Sequence, residues 1–278
     1  MTEIELPFGP CDVRVTGSGM PILLVHGLLV NGGLWDRVVP SLAKSHQVIQ
    51  PDLPLGAHRV AATNRTHVHP EGVADALVVL LDKLDVKQAV VFGSDTGGAV
   101  AQIMTARHPE RVRALMLTSC DAFNHFPPTL FKPLKPLLAI PGAVDLIGLL
   151  YRSKRVRRSI VGAGLVLNKP IDDAMIKPFF DRLTSDRGVR RDMAQFLRAC
   201  KPALTNQAAE QLRSFHKPAL LAWSRRDPLF PESDGKRLAQ TLPDCRLEWI
   251  DNSLAFSMLD QPDQLLAIVE PFLAGLLG

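Results

Sequence analysis

The sequence feature that most restricts the fold is a tight, glycine-flanked turn between an apolar run and a helical run. The apolar run covers residues 88–92, the turn reads Gly93-Ser94-Asp95-Thr96-Gly97, and a helical pattern begins at once. Glycines two residues before and two residues after Asp95 let the chain turn this sharply without side-chain clashes. We therefore predict that Asp95 projects from the carboxyl end of a strand. The N–H of Thr96 then opens a helix, where it can stabilise an anion.

Strand-like and helix-like runs alternate on both sides of this turn. Strands are predicted at 11–15, 21–25, 47–50, 88–92 and 112–118, and helices at 35–43, 70–84 and 97–107. The alternation stops at 121–205, which is first Pro-rich and then helical and basic. It resumes with two strands and two helices, at 218–223, 232–242, 245–250 and 262–276. This pattern predicts parallel βαβ units, and therefore an α/β core of 1–120 and 206–278 with a helical insertion at 121–205.

Composition favours a globular protein, because 46% of the 278 residues are hydrophobic and 22% are charged. No apolar run reaches the roughly 18 residues that a membrane-spanning helix needs, and residues 1–10 show no signal-peptide pattern. The four cysteines lack CxxC spacing, so we interpret them as reduced thiols rather than a disulfide frame or a zinc site. We expect a cytoplasmic protein that needs no metal or organic cofactor.

Charge is unevenly distributed along the chain. The insertion 121–205 carries 15 Lys/Arg and 7 Asp, whereas the rest carries 17 Lys/Arg and 21 acidic residues. Because aromatic residues do not interleave with the basic ones, we favour a solvated helical surface over a nucleic-acid site. The apolar segment Leu137–Leu150 is interpreted as pocket lining rather than as a membrane anchor. We therefore expect a small-molecule substrate and neither a nucleic-acid nor a membrane partner, and the sequence leaves a homodimer open.

Three further motifs accompany the turn in a fixed chain order. Val25-His26-Gly27-Leu28 follows an early strand, Pro51-Asp52-Leu53-Pro54-Leu55-Gly56 follows the next one, and Asp227 follows a late strand. Together with the turn around Asp95, these motifs resemble those of the α/β-hydrolase superfamily over nearly the whole chain. Aspartate rather than serine in the turn is similar to the haloalkane dehalogenase and epoxide hydrolase branches.

The resemblance implies the α/β-hydrolase fold, with a mostly parallel sheet flanked by helices and a helical cap at 121–205. It also implies that the carboxylate of Asp95 attacks an electrophilic carbon and forms an alkyl-ester intermediate. The N–H groups of Leu28 and Thr96 would then hold the oxyanion. Asp227 would occupy the position of the acid that orients a catalytic base, with an aspartate on a surface loop as the alternative.

One position departs from the family pattern. Alignment on Phe256 and on Asp260-Gln261-Pro262 places Ala255 where the family has the histidine that activates water. Alanine cannot accept a proton. Another group performs this step, or the protein is not a conventional hydrolase, or the position carries an engineered substitution. Leu254, which replaces the usual flanking glycine, favours natural divergence.

The chain also lacks side chains that are typical of the two branches. Epoxide hydrolases of this type use two cap tyrosines as acids, whereas the chain has one tyrosine in total, Tyr151. Haloalkane dehalogenases commonly place tryptophan after the nucleophile, whereas Thr96 stands here. Asn31 is the candidate for the second halide contact.

The remaining candidates each have a structural alternative. Asp121, which follows a predicted strand, is either an acid of the catalytic group or a helix N-cap. His125 is the best substitute base in the sequence, with a solvated loop histidine as the alternative. His26 is interpreted as a structural hydrogen-bonding residue. No carboxylate has a spacing that would complete a metal site, so we interpret three further histidines as exposed loop residues: His58, His67 and His69.

The sequence thus supports two hypotheses about function. The first is an α/β-fold hydrolase that uses Asp95 against a small, largely apolar ester, epoxide or halogenated compound. The second is a non-hydrolytic or ligand-binding protein on the same scaffold, because the histidine is missing at position 255.

Overall fold

The computed structural model describes residues 1–169 and 172–277. One sheet contains β1 (Thr2–Leu6), β2 (Gly9–Thr16), β3 (Met20–Val25), β4 (His46–Pro51), β5 (Ala89–Asp95), β6 (Val112–Cys120), β7 (Ala219–Ser224) and β8 (Cys245–Ile250). The strand order is β1-β2-β4-β3-β5-β6-β7-β8. The pairs β1–β2 and β2–β4 are antiparallel and the other pairs are parallel, which confirms the predicted mostly parallel sheet.

The helices divide into those that cover the sheet and those of the insertion. In chain order they are α1 (Val39–Leu42), α2 (Pro70–Lys83), α3 (Thr96–Arg107), α4 (Leu134–Leu137), α5 (Ala143–Leu150), α6 (Lys154–Arg157), α7 (Asp173–Ser185), α8 (Arg187–Ala199), α9 (Pro202–Leu212), α10 (Glu232–Thr241), α11 (Ser257–Asp260) and α12 (Pro262–Gly275). Helices α4 to α8 follow β6 and form the insertion. The predicted boundary at 205/206 falls inside α9, which packs against α3 of the core.

Two local predictions were wrong. The strand β1 was missed, because its alternating apolar and acidic residues lie at a sheet edge and are mostly exposed. The helix predicted at 35–43 is instead a 3₁₀ turn at Gly32–Trp35 followed by the short helix α1. Asn31 starts the 3₁₀ turn by accepting a hydrogen bond from the N–H of Gly33, so the chain bends where a continuous helix was expected.

The order of the strands places two loops side by side. From β3 the chain moves outward to β4 and then crosses back to β5 on the other side of β3. Ligands of open α/β sheets bind outside the carboxyl ends of the strands at such a reversal. Val25, the last residue of β3, pairs with Gly93 of β5. The segment Val25–Leu28 therefore meets the turn that carries Asp95.

One segment of the insertion, Leu137–Leu150, differs from the prediction. Leu137, Leu146, Leu149 and Leu150 are exposed, and no residue of 137–150 lines the cavity described below. The interpretation of Leu137–Leu150 as pocket lining was therefore wrong. Helix α5 packs on α7 and α8, while its side chains Leu146, Leu149 and Leu150 are exposed. Across the described residues, no helix combines the length and the hydropathy required to span a bilayer.

Candidate active site

The turn after β5 holds Asp95 in a strained conformation. Asp95 has a φ of 54°, in the left-handed region that non-glycine residues seldom occupy. A side chain at Gly97 would collide with the carbonyl oxygens of Val25 and His26, so the start of α3 can approach the loop after β3 only as glycine. The strain is therefore fixed by close backbone packing on both sides of the aspartate.

One carboxylate oxygen of Asp95 is held by two backbone donors. The N–H of Leu28 donates to Oδ1 over 3.2 Å, and the N–H of Thr96 donates to the same oxygen. A Cβ on Gly27 would lie 2.5 Å from Oδ1, so this glycine permits the close approach. The predicted oxyanion donors thus converge on one oxygen of the carboxylate.

Burial and hydrogen bonding act on Asp95 in opposite directions. Burial disfavours the charged form and raises the pKa of Asp95 above its ordinary value, while the N–H groups of Thr96 and Leu28 partly offset this effect. The raised pKa reflects the dominance of burial. A carboxylate in this position is poorly solvated and is therefore a stronger nucleophile, once ionised, than a carboxylate in water.

His26 is a neutral structural residue. Its Nε2 accepts from the N–H of Leu53 over 2.8 Å, so Nδ1 carries the proton, 2.9 Å from the carbonyl oxygen of Gly27. Complete burial lowers the pKa of His26 to about 4, which leaves the ring uncharged at neutral pH. With both ring nitrogens engaged, His26 fixes the loop that carries the Leu28 donor.

Asp121 lies directly behind the turn. The hydroxyl of Thr96 donates to Asp121 Oδ2 over 3.0 Å, and the N–H of Asp121 donates to the carbonyl of Asp95 over 3.3 Å. The Asp121 side chain is fully buried, and no partner for Oδ1 is present among the described residues. Burial, with the nearby charge of Asp95, raises the pKa of Asp121 well above its ordinary value.

Asp227 lies in the loop after β7 and is buried rather than on the surface. Its Oδ1 accepts from the N–H groups of Leu229 (2.9 Å) and Phe230 (3.0 Å). Its Oδ2 is buried, and the described part of the chain supplies it with no partner. Burial raises the pKa of Asp227 to about 7, and the charge of Asp95 contributes to the increase.

Ala255 is fully buried in the loop after β8. The loop is fixed on both sides of it, because Ser224 Oγ donates to the carbonyl of Leu254 over 2.7 Å and the N–H of Phe256 donates to the carbonyl of Val166 over 3.0 Å. The loop is thus well packed but brings no titratable side chain to the cavity, since Phe256 is its lining residue.

Three candidates from the sequence lie outside the cavity lining. His125 Nδ1 is 2.5 Å from Oδ2 of Asp234 on α10, and Tyr151 donates its hydroxyl to the carbonyl of Val161. Asn31 caps the 3₁₀ turn, so its side chain is engaged away from Asp95. The structure therefore gives none of them a contact with Asp95.

The histidines near residue 60 were partly misinterpreted. His58 is buried, not exposed, and its Nε2 lies 3.1 Å from Oδ2 of Asp192 on α8. Arg65 donates to the other oxygen of Asp192, so a charged network ties this loop to the insertion. No local sequence pattern predicts this network, because the partners are more than 120 residues apart. The described residues contain no cluster of three His, Cys, Asp or Glu side chains suited to a metal ion.

Asp95 and Thr96 are the two polar residues in the lining of an otherwise apolar cavity between the sheet and the insertion. The cavity measures about 740 Å³, including space open to solvent. The insertion contributes Ile176, Phe179 and Phe180 from α7 to the lining. Sequence reasoning missed these residues, although their i, i+3, i+4 spacing was a detectable signal. Such a lining suits a small apolar molecule with one reactive centre.

Comparison with known proteins identifies related chains. Residues 20–143 match the family model for the alpha/beta hydrolase fold. A Shewanella oneidensis protein named cis-3-alkyl-4-alkyloxetan-2-one decarboxylase is 26% identical over 267 residues, which is 92% of this chain and 83% of the relative. A Rhodobacter capsulatus protein named magnesium-chelatase 30 kDa subunit is 30% identical over 199 residues, which is 68% of each chain.

Solved structures agree with the fold. A protein described as an ancestral haloalkane dehalogenase superposes with a TM-score of 0.80 at 20% identity, and 99% of each chain is covered. A Pseudomonas aeruginosa protein described as an epoxide hydrolase gives a TM-score of 0.78 at 22% identity, covering 99% of this chain and 95% of the other. At these identities the likeness establishes the shared fold.

Proposed function

The chain belongs to the α/β-hydrolase superfamily, and we propose that it acts on a small, largely apolar electrophile with Asp95 as nucleophile. The proposal rests on one observation: two backbone N–H groups donate hydrogen bonds to Asp95 Oδ1 at the wall of an apolar cavity. A purely structural aspartate does not require a strained turn that opens onto a cavity.

In the first step, Asp95 Oδ2 attacks a saturated carbon that carries a halide, an epoxide oxygen or a lactone oxygen. A new C–O bond forms, the leaving group departs with its electron pair, and the carboxylate becomes an alkyl ester. Leu28 and Thr96 keep the carboxylate oriented toward the attack through Oδ1. The apolar lining excludes water from the nucleophile during this step.

Hydrolysis of the ester requires water to attack Cγ of Asp95 while Oδ1 carries the developing negative charge. The N–H groups of Leu28 and Thr96 are in place to stabilise that oxyanion. The water must also lose a proton, and residue 255 supplies no acceptor. We therefore propose that the ester persists far longer than it would beside a histidine.

A non-hydrolytic reaction is the second candidate, and the missing histidine favours it. The Shewanella oneidensis relative is named as a decarboxylase of an oxetan-2-one, a strained four-membered lactone. Loss of CO₂ from such a lactone breaks one C–O and one C–C bond and leaves an alkene, so no activated water is consumed. The same carboxylate could open the ring and then depart as the alkene forms.

Intact-protein mass spectrometry tests both candidates. The full chain is incubated with terminal epoxides, bromoalkanes and dialkyl β-lactones, and the products are analysed by gas chromatography. A mass increase that maps to Asp95 and is absent from Asp95→Asn supports the nucleophile. Alkene release without a stable adduct selects the decarboxylation. Adducts of equal yield in both proteins would contradict the assignment of Asp95.

A further inference from the structure

The insertion exposes an unusual amount of apolar surface. Nine of the thirteen large hydrophobic side chains that are exposed among the described residues lie between positions 130 and 161. We define the cap patch as this surface, centred on Leu134, Leu137, Ile140, Leu146, Leu149 and Leu150. A concentration of this kind marks an interaction site, whereas single exposed leucines need no explanation.

The patch has a regular geometry on α5. Leu146, Leu149 and Leu150 have i, i+3, i+4 spacing, which places them on one face of the helix. Gly148 is buried on another side of α5, where a Cβ would lie 2.8 Å from Nη1 of Arg190 on α8. Helix α5 therefore packs against α8 on the side of Gly148, and the face that carries the three leucines is exposed to solvent.

Positive charge accompanies the apolar surface. Residues 129–161 contain seven Lys/Arg and one acidic residue, Asp145. Asp145 is already paired with Arg190 and Arg187, both outside this segment. The exposed bases are Lys132, Arg152, Lys154, Arg155 and Arg158. An apolar face with unneutralised bases beside it matches the chemistry of an anionic membrane surface.

We propose that the cap patch docks on an anionic lipid bilayer as a peripheral, non-spanning contact. The leucines would enter the boundary between headgroups and acyl chains while the arginines and lysines contact lipid phosphates. A second copy of the chain fits less well, because a two-fold interface would bring each basic segment against its own copy. This proposal replaces the sequence-based expectation that the protein has no membrane partner.

Docking would also orient the cavity toward the membrane. Val161 belongs to the cap patch, with 51% of its surface exposed, and it lines the cavity together with Phe131. An apolar substrate dissolved in the bilayer could then reach Asp95 without crossing bulk water. This step rests on the proposed function, whereas the docking itself does not.

Vesicle co-sedimentation tests the docking with the full chain. We expect binding to phosphatidylcholine vesicles that contain phosphatidylglycerol, weaker binding as salt increases, and little binding to phosphatidylcholine alone. The double variant Leu146→Glu, Leu149→Glu should bind at least about tenfold more weakly, because each leucine loses its apolar burial in lipid. The matched control, Val60→Glu with Leu277→Glu, introduces two glutamates at exposed apolar sites outside the patch and should bind normally.

The contribution of charge is tested separately. Arg152→Glu with Arg155→Glu should reduce binding about tenfold or more, whereas Lys83→Glu with Lys87→Glu, on the core, should have little effect. Circular dichroism and thermal unfolding check that each variant is folded. Absence of vesicle binding, or equal losses in patch and control variants, would overturn the proposal.

An oligomeric surface would give a different result. If the wild-type protein is a dimer that ignores vesicles and Leu146→Glu with Leu149→Glu makes it monomeric, the cap patch is an interface between copies and the proposal fails. Because vesicle binding is measured without substrate, its outcome is independent of whether Asp95 forms an adduct.

Discussion

The carboxyl edge of the sheet carries two regions of contrasting character. In the loop after β3 and the turn after β5, the N–H groups of Leu28 and Thr96 donate to Oδ1 of Asp95, the proposed nucleophile. The loop after β8 is equally well fixed by hydrogen bonds, but it places the methyl group of Ala255 in the buried interior. The difference between them is chemical and does not reflect disorder in either loop.

Asp227 combines features of both regions, because one of its carboxylate oxygens is hydrogen-bonded and the other is not. It keeps the two backbone donors on Oδ1, yet Oδ2 is buried without a partner among the described residues. A buried oxygen without a partner is costly, and the resemblance to the α/β hydrolases implies that a histidine N–H would be this partner. Asp95 and Ala255 lie on separate loops, so the residue at position 255 can change while the hydrogen bonds to Asp95 are kept.

The largest effect is expected from removing the proposed nucleophile, Asp95. Asparagine at position 95 keeps an oxygen for the two N–H donors but cannot attack carbon. Asp95→Asn should therefore fold normally and lose adduct formation or turnover by about 10⁴-fold or more. The measurement is the rate of covalent labelling by bromoalkanes and epoxides, followed by mass spectrometry. A labelling rate within about tenfold of wild type would show that Asp95 is not the nucleophile.

Sequence reasoning succeeded where local chemistry restricts the backbone. Glycines around Asp95 and the apolar runs of β3 and β5 predict the turn and its position on the sheet. It failed at Leu137–Leu150, because hydrophobicity alone does not say which side of a helix faces the core. It also failed at β1, since an edge strand with one buried face carries a weak pattern.

Within the site, predictions based on strand pairing were more accurate than predictions based on closeness in sequence. Leu28, Thr96 and Asp121 lie next to the turn because neighbouring parallel strands place them there. His125 and Asn31 were chosen by their proximity in sequence, yet both side chains bond elsewhere, to Asp234 and Gly33. That Asp227 Oδ2 has no partner among the described residues could not be predicted, because it is a property of the packed loop.

The second expected effect comes from restoring a base to the loop after β8. Ala255→His should accelerate ester hydrolysis by about 10²–10⁴-fold, which is the usual contribution of general-base catalysis. Asp227 Oδ2, which has no hydrogen-bond partner among the described residues, is the group that we propose would orient the ring. A larger side chain in this buried place costs roughly 1–3 kcal/mol, so the variant should unfold at a lower temperature. Turnover of epoxides and bromoalkanes is the measurement.

The matched control is Ala255→Phe, which adds a ring of similar size without a basic nitrogen. The gain should appear with histidine only, and it should vanish in the double variant with Asp95→Asn. A gain that survives the loss of Asp95 would contradict the nucleophile assignment. No gain in a folded Ala255→His protein would favour the non-hydrolytic candidate.

A smaller effect is expected when the oxyanion loop is disturbed. Gly27→Ala introduces a Cβ about 2.5 Å from the carboxylate of Asp95, so the loop or the carboxylate must move. Misalignment of the Leu28 donor should slow adduct formation by about 10²–10³-fold. Gly33→Ala is the control, because its Cβ would mainly approach the Asn31 side chain at 2.9 Å. Equal labelling rates in Gly27→Ala and wild type would mean that the Leu28 N–H does not support the reaction.

The smallest expected effect is on stability, and it tests whether Asp227 holds a proton in the folded protein. Its pKa is about 7 in the folded protein, against an ordinary value of 3.8, so the folded state holds a proton that the unfolded state releases. Stability from this proton is complete below about pH 4 and is lost as the pH rises through about 7. Between these limits, the free energy of unfolding of wild type should fall relative to Asp227→Asn by about 2–4 kcal/mol. Urea unfolding at several pH values, with Asp244→Asn as an exposed control, measures the difference. Parallel profiles for wild type and Asp227→Asn would show that Asp227 is ionised in the folded state, and that its second oxygen already has a partner.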